Sequence, residues 1–154
     1  MTTVYRLLRS IYAQNPFDGE GAYRYGGRWS SVGTRVGYTS QHQSLAMLEY
    51  FVHLDRDNPP TDLVLAKATV PERMSRIQIK VADLPPDWRD SPPPSILTAL
   101  GDDFVAERKS AILIVPSALA PSENNWLLNP LHPDFAKIEV QPLEPFKYDQ
   151  RLFA

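Results

Sequence analysis

The chain has no cysteine. Disulfides, thiolate nucleophiles and cysteine metal sites are therefore excluded, and a reducing compartment suits it. Histidine is scarce. His42, His53 and His132 are the 3 present, and neither an HExxH spacing nor a paired acidic ladder accompanies them, so no metal centre is expected. No apolar run approaches the roughly 20 residues of a membrane span. The opening MTTVYRLLRS lacks the apolar core of a signal peptide, so the expected compartment is the cytoplasm and no membrane association is expected. Net charge is −2 and the basic residues are scattered, which gives no phosphate-neutralising stripe and no expectation of direct nucleic-acid binding.

Proline, by contrast, is abundant. There are 15, many of them grouped at Pro59-Pro60, Pro85-Pro86 and Pro92-Pro93-Pro94. Proline disfavours helix interiors and central strands, so short elements and fixed turns are expected. With 154 residues, 43% of them hydrophobic, the sequence suits one domain over residues 1–154 with a real core. Val4–Leu8, Asp62–Val70, Arg76–Lys80, Ala111–Val115 and Ala136–Gln141 read as strands. Asn15 to Gly37 reads as loop with short extended pieces. Ser40 reads as the N-cap of a helix running to about Leu54, with Gln43 completing a capping box. Gly101–Lys109 reads as a short helix and Pro85 to Pro94 as a rigid loop. Short strands with two helices predict an α+β fold around a compact, largely antiparallel core.

Four features carry chemistry. Glu49 is the only formally charged residue between Ser40 and Leu54, on a helix whose apolar residues surround its axis. A buried carboxylate needs a partner, so Glu49 is either a functional acid, half of an ion pair with an arginine, or a residue at an exposed rim. The stretch GEGAYRYGGRWSSVGTRVG, from Gly19 to Gly37, combines glycines with Arg24, Arg28 and Arg35 and with Tyr23, Tyr25 and Trp29. Guanidinium forks suit phosphate and aromatic faces suit a ring, so a nucleotide site and a surface loop with aromatic plugs both fit. It is not a Rossmann fingerprint: in Gly19-Glu20-Gly21-Ala22-Tyr23-Arg24 an arginine stands where the third glycine belongs. Ser117 follows the buried Ala111–Val115 run but lacks a G-x-S-x-G elbow, so a proline–serine turn explains it as well as a site does. In Glu123 to Pro133, Asn124, Asn125, Asn129 and His132 could bind polar ligand groups or cap turns, and capping is expected for Asn124 and Asn125.

Taken in order, Val4-Tyr5-Arg6, Gly26-Gly27-Arg28-Trp29, Tyr38-Thr39-Ser40, Leu45-Ala46-Met47-Leu48-Glu49, Val115-Pro116-Ser117-Ala118 and Asn129-Pro130-Leu131-His132-Pro133-Asp134-Phe135 resemble the RES domain. This is the toxin half of RES–Xre toxin–antitoxin pairs. The family's Arg, Glu and Ser fall on Arg28, Glu49 and Ser117. Ser30 departs from the pattern, since the family often has asparagine after the tryptophan. The resemblance implies a split β core with short helices, like that of ADP-ribosyltransferase toxins, and NAD as substrate rather than as a resident cofactor. It implies cleavage of the nicotinamide–ribose bond by hydrolysis or phosphorolysis, or transfer of ADP-ribose to a protein. It assigns Glu49, Arg28 and Tyr38 to catalysis and Ser117, Arg6 and Asn129 to substrate binding. It also implies a hetero-oligomer with an Xre-type helix-turn-helix antitoxin. A catalytically silent nucleotide-binding or interaction module is the alternative from another class.

Overall fold

A computed structural model describes residues 1–154. Its frame is an eight-stranded sheet in the order β4-β5-β6-β2-β1-β3-β7, with β8 also on β3. The strands are β1 (Thr2–Arg9), β2 (Gly37–Ser40), β3 (Leu63–Val70), β4 (Arg76–Gln78), β5 (Ile112–Pro116), β6 (Asn124–Leu128), β7 (Glu139–Val140) and β8 (Glu144–Pro145). All pairings are antiparallel except that of β4 with β5. Three helices complete it: α1 (Glu20–Tyr25), α2 (Gln43–Phe51) and α3 (Ser95–Glu107). The expected α+β class stands.

The sheet consists of two ladders joined by little. β1 and β3 pair along their whole length, from Thr2↔Val70 to Arg9↔Leu63. β5, β6 and β2 are likewise zipped, from Ile112↔Leu128 to Pro116↔Asn124 and from Gly37↔Leu128 to Ser40↔Asn125. Between β1 and β2 there is a single register pair, Tyr5↔Ser40. The sheet is therefore split at its centre.

Alternation along each strand sorts side chains to two faces. Val4, Leu8, Ala66, Ala68, Ile112, Ile114, Trp126 and Leu128 share one cluster. On the opposite face Leu113, Val115 and Leu127 pack with Trp29 and with Leu97, Phe104 and Val105 of α3. Leu7 and Leu65 pack with Met47, Tyr50 and Phe51 of α2 and with Tyr148.

Several sequence expectations are corrected by this packing. Ser40 ends β2 instead of capping α2, because its hydroxyl is engaged by Asn125; His42 is the N-cap, without a side-chain bond. α2 stops at Phe51, and only Leu45 and Ala46 are buried on it, while Leu48 and Val52 face solvent. The glycine-rich stretch contains a helix, α1. Glycines in the left-handed region bound it at both ends, Gly19 at φ 76° and Gly26 at φ 72°, and Asp18 accepts the Glu20 N–H. α3 begins after Pro94 and runs through Gly101. A Cβ there would lie 1.6 Å from the Trp29 carbonyl oxygen, so this glycine permits a close crossing instead of marking a boundary. Asn124 and Asn125 open a central strand instead of capping turns. A 3-10 turn at Pro133–Lys137 takes the start of the expected last strand, which is shortened to Glu139–Val140.

Candidate functional site

Glu49 projects from the half of α2 that Met47, Tyr50 and Phe51 anchor, and it is half-buried. Its Oε1 accepts two hydrogen bonds, from Ser117 Oγ at 2.7 Å and from Asn125 Nδ2 at 2.8 Å. No arginine pairs with it, so the ion-pair reading is set aside. Ser117 follows β5 and is completely buried. Its hydroxyl accepts the N–H groups of Leu119 and Ala120, each at 3.1 Å, and gives its proton to Glu49. With all three hydrogen bonds directed, this oxygen orients the carboxylate and is not poised to attack. Asn125 is itself held: its Oδ1 accepts from Ser40 Oγ at 2.7 Å.

Two residues back along β2 from Ser40, about 6.6 Å by strand geometry, lies Tyr38 on the same face. Its phenol oxygen accepts the Trp29 N–H at 3.0 Å and lies 2.8 Å from Ser30 Oγ. Burial pushes its pKa up to about 12, against the smaller opposing pull of the Ser30 and Trp29 contacts, so the phenol is neutral at physiological pH. A Cβ on Gly27 would meet this oxygen at 2.6 Å, which explains the need for glycine just before Arg28.

Arg28 directly precedes Trp29, whose N–H Tyr38 accepts, and Arg6 lies on β1 next to Tyr5, the register partner of Ser40. Arg28 Nη1 donates to the carbonyls of Trp88 at 3.0 Å and Asp90 at 2.8 Å. These bonds engage Nη1 and leave the Nε and Nη2 donors without a protein acceptor. The Pro85 to Pro94 loop thus braces Arg28, and Arg89 Nε fastens the same loop to the Ala118 carbonyl beside Ser117, at 2.8 Å. Arg6 Nη1 donates to the Pro16 carbonyl at 3.1 Å; burial holds its pKa below the usual arginine value, opposed by Asp18.

The structure thus joins Glu49 and Ser117 through direct hydrogen bonding, with Tyr38 two residues from Ser40 on β2, Arg6 on β1 beside the split, and Arg28 next to the Trp29 that Tyr38 contacts. Asn129 stands apart. It lies at the far end of β6, fully buried, where Nδ2 donates to the Val105 carbonyl and Oδ1 accepts the Leu131 N–H. Arg24 and Arg35 are also elsewhere, both paired with Glu20. Two surface hollows lie away from Glu49. One, of about 330 Å³, is lined by Pro59, Leu63, Phe146 and Phe153, and the other, of about 320 Å³, by Tyr23, Arg35, Asp102 and Leu131. Neither gathers comparable chemistry. Sequence reasoning missed Asn125 and Ser40. The available signal was the apolar run Trp126-Leu127-Leu128, which reads as a buried strand with Asn125 at its start.

Comparison with known proteins gives a consistent result. A family model described as the RES domain matches residues 3–149. A "Toxin Res" of Photorhabdus laumondii is 38% identical over 150 residues, covering 97% of this chain and 96% of that protein. A "Toxin Res" of Yersinia enterocolitica is 36% identical over 151 residues, covering 97% and 98%. The "Prs ADP-ribosylating toxin" of a Sphingobium strain is 32% identical over 143 residues, covering 92% and 89%. Among solved structures, the M. tuberculosis MbcT–MbcA toxin–antitoxin complex contains a similar fold, with a TM-score of 0.75 at 16% identity over 99% of this chain and 86% of that one.

Proposed function

The chain belongs to the RES domain family, and from that premise we propose that it is the toxin of a toxin–antitoxin pair that consumes NAD by cleaving the nicotinamide–ribose bond. The observation that carries this reading is the carboxylate of Glu49, held through one oxygen by Ser117 and Asn125 while no protein donor reaches the other.

In this reading NAD is the substrate, and the reaction draws on no metal. The bond between the ribose anomeric carbon and the nicotinamide nitrogen breaks with its electron pair leaving on the nitrogen, as in glycoside cleavage. The ribose then carries oxocarbenium character, and a fixed negative charge beside it lowers the barrier. Glu49 Oε2 supplies that charge and can also accept a ribose hydroxyl. Water adds to the anomeric carbon and releases a proton, giving nicotinamide and ADP-ribose; phosphate in its place gives phosphorylated ADP-ribose. The Nε and Nη2 donors of Arg28 suit the diphosphate as a charge-assisted fork, with Arg6 as a second anchor. A neutral Tyr38 can pack on the nicotinamide or order the ribose without adding charge.

A second reading, transfer of ADP-ribose to a protein, is favoured by the likeness to a relative named as an ADP-ribosylating toxin. Either activity, free in the cytoplasm, would injure its own cell, so a cognate antitoxin is part of the proposal. An Xre-type helix-turn-helix protein fits if it offers an acidic segment or terminal carboxylate to Arg28 in place of the diphosphate.

The test is to incubate the purified chain with NAD, with and without phosphate, and to identify products by mass. Release of nicotinamide is expected, with the second product naming the acceptor. Intact NAD would overturn the hydrolytic and phosphorolytic readings; if no added cellular protein gained ADP-ribose either, a silent binding module would remain.

A further inference from the structure

The carboxylate of Glu49 belongs to a chain of hydrogen bonds that crosses four elements. Ser40 on β2 donates to Asn125 on β6, Asn125 donates to Glu49 on α2, and Ser117 after β5 donates to the same Glu49 oxygen. We propose that Asn125, steered by Ser40, is a positioning residue that turns the Glu49 carboxylate so that Oε2 faces the substrate. The proposal rests on the NAD-cleaving role of Glu49 given above.

Every link in this chain has one possible direction. An ionised carboxylate only accepts, so the amide of Asn125 must present Nδ2 to it and Oδ1 to the other side. The group on that other side is Ser40 Oγ, which must then be the donor. Ser117 is likewise committed, because its lone pairs are engaged by the Leu119 and Ala120 N–H groups and its proton is left for Glu49. Reversing the Asn125 amide would turn an oxygen toward the carboxylate, so the carboxylate selects the amide orientation and Ser40 Oγ, donating to Oδ1, holds the amide in it.

Two donors on one oxygen do what one cannot. Ser117 alone would tether Oε1 but leave the carboxylate free to turn about its terminal bond, a torsion whose energy wells are broad. Asn125 approaches from a second element and fixes that turn. Sheet formation does not require it, because asparagine is depleted in strands and the same register position would favour a β-branched residue. The Cα partner of Asn125 on β5 is Val115, a β-branched residue of the kind strands favour.

The experiment compares nicotinamide release by the parent, Asn125→Leu, Ser40→Ala and the double variant, with Tm measured for each. A hydrogen bond to a charged group is worth about 1.5–3 kcal/mol, so kcat of Asn125→Leu should fall about 10–100-fold with KM for NAD within about twofold. Ser40→Ala should lose less, and the double variant should match Asn125→Leu, because Ser40 acts through Asn125. An unchanged kcat, a loss confined to KM, or losses that multiply in the double variant would each overturn the proposal. An independent readout is the side-chain amide of Asn125 by NMR, whose proton shifts should move in Glu49→Gln. Unmoved signals overturn the proposal even if Asn125→Leu fails to fold. A parent protein that releases no nicotinamide, with the Asn125 amide still responding to Glu49→Gln, would instead count against the NAD reading.

Discussion

The two ends of the site are built on opposite plans. At the carboxylate end, side chains hold side chains: Ser40, Asn125, Ser117 and Glu49 form a chain in which each proton has one destination. At the arginine end, backbone holds side chains: Arg28 leans on the Trp88 and Asp90 carbonyls and Arg6 on that of Pro16, while Trp29 offers its N–H to Tyr38. The first plan fixes where one charge sits, through two donors on one oxygen. The second keeps guanidinium donors in reserve, with Arg28 on a loop and Arg6 on β1, which suits a diphosphate. In the proposed reading, the end that would break the bond is closely held and the end that would grip substrate has donors to spare.

That contrast can be broken most severely from beneath the arginine end. Trp29 is buried against Leu97 and Phe104 of α3 and sits next to Arg28, so Trp29→Ala should cost about 3–5 kcal/mol of stability, read as a large fall in Tm. A small fall would mean that the loop is not anchored through this ring. Glu49→Gln attacks the other end without touching the core. The loss of one charge aimed at the reacting centre typically costs ~10²–10³ in rate, so nicotinamide release should collapse while Tm stays near that of the parent. Parental turnover in this variant would remove Glu49 from the chemistry.

Arg28→Lys sharpens the comparison, because a lysine keeps the charge and loses the fork. It cannot both brace the proline loop and present a second pair of donors. NAD affinity measured by calorimetry should fall about 10–100-fold, the loss expected for charged hydrogen bonds, with a smaller effect on kcat. Unchanged affinity would show that the fork does not hold the diphosphate. The smallest effect is expected from Tyr38→Phe, which leaves the Trp29 N–H without its acceptor at a cost of about 1–3 kcal/mol. Because the phenol is already neutral, its removal should not shift the pH dependence of cleavage below about pH 10; a shifted profile would give Tyr38 a proton-transfer role.

Much of the carboxylate end was legible because chemistry is conspicuous against an apolar background. A single acid among Leu45, Met47, Leu48, Tyr50 and Phe51 needs an explanation, and the partner it finds, Ser117, follows the most apolar run in the chain. The long strands β1, β3 and β5 were equally plain, since their patterns extend over five residues or more. What could not be read was whatever depends on a neighbour distant in sequence. Asn125 looks like a turn residue until β5 and β2 flank it. Gly101 looks like a helix boundary until the Trp29 carbonyl passes over it. Asn129 looks like a ligand contact, but its amide is engaged in closing a turn against α3. Each of these depends on a backbone that no local pattern describes.

The single rung between β1 and β2 bears on how this chain avoids sticking to its own copies. An unpaired strand edge invites a strand from another molecule, and globular proteins usually blunt such edges by shortening, charge or proline. The outer edges follow that rule: β4 has three residues, and β7 and β8 have two each, with Glu139, Glu144 and Pro145 among them. The inner edges exposed by the split are treated differently. They confront one another inside the molecule, so each screens the other from intruders without being zipped to it. The protein thereby presents no long edge on which a fibre could grow.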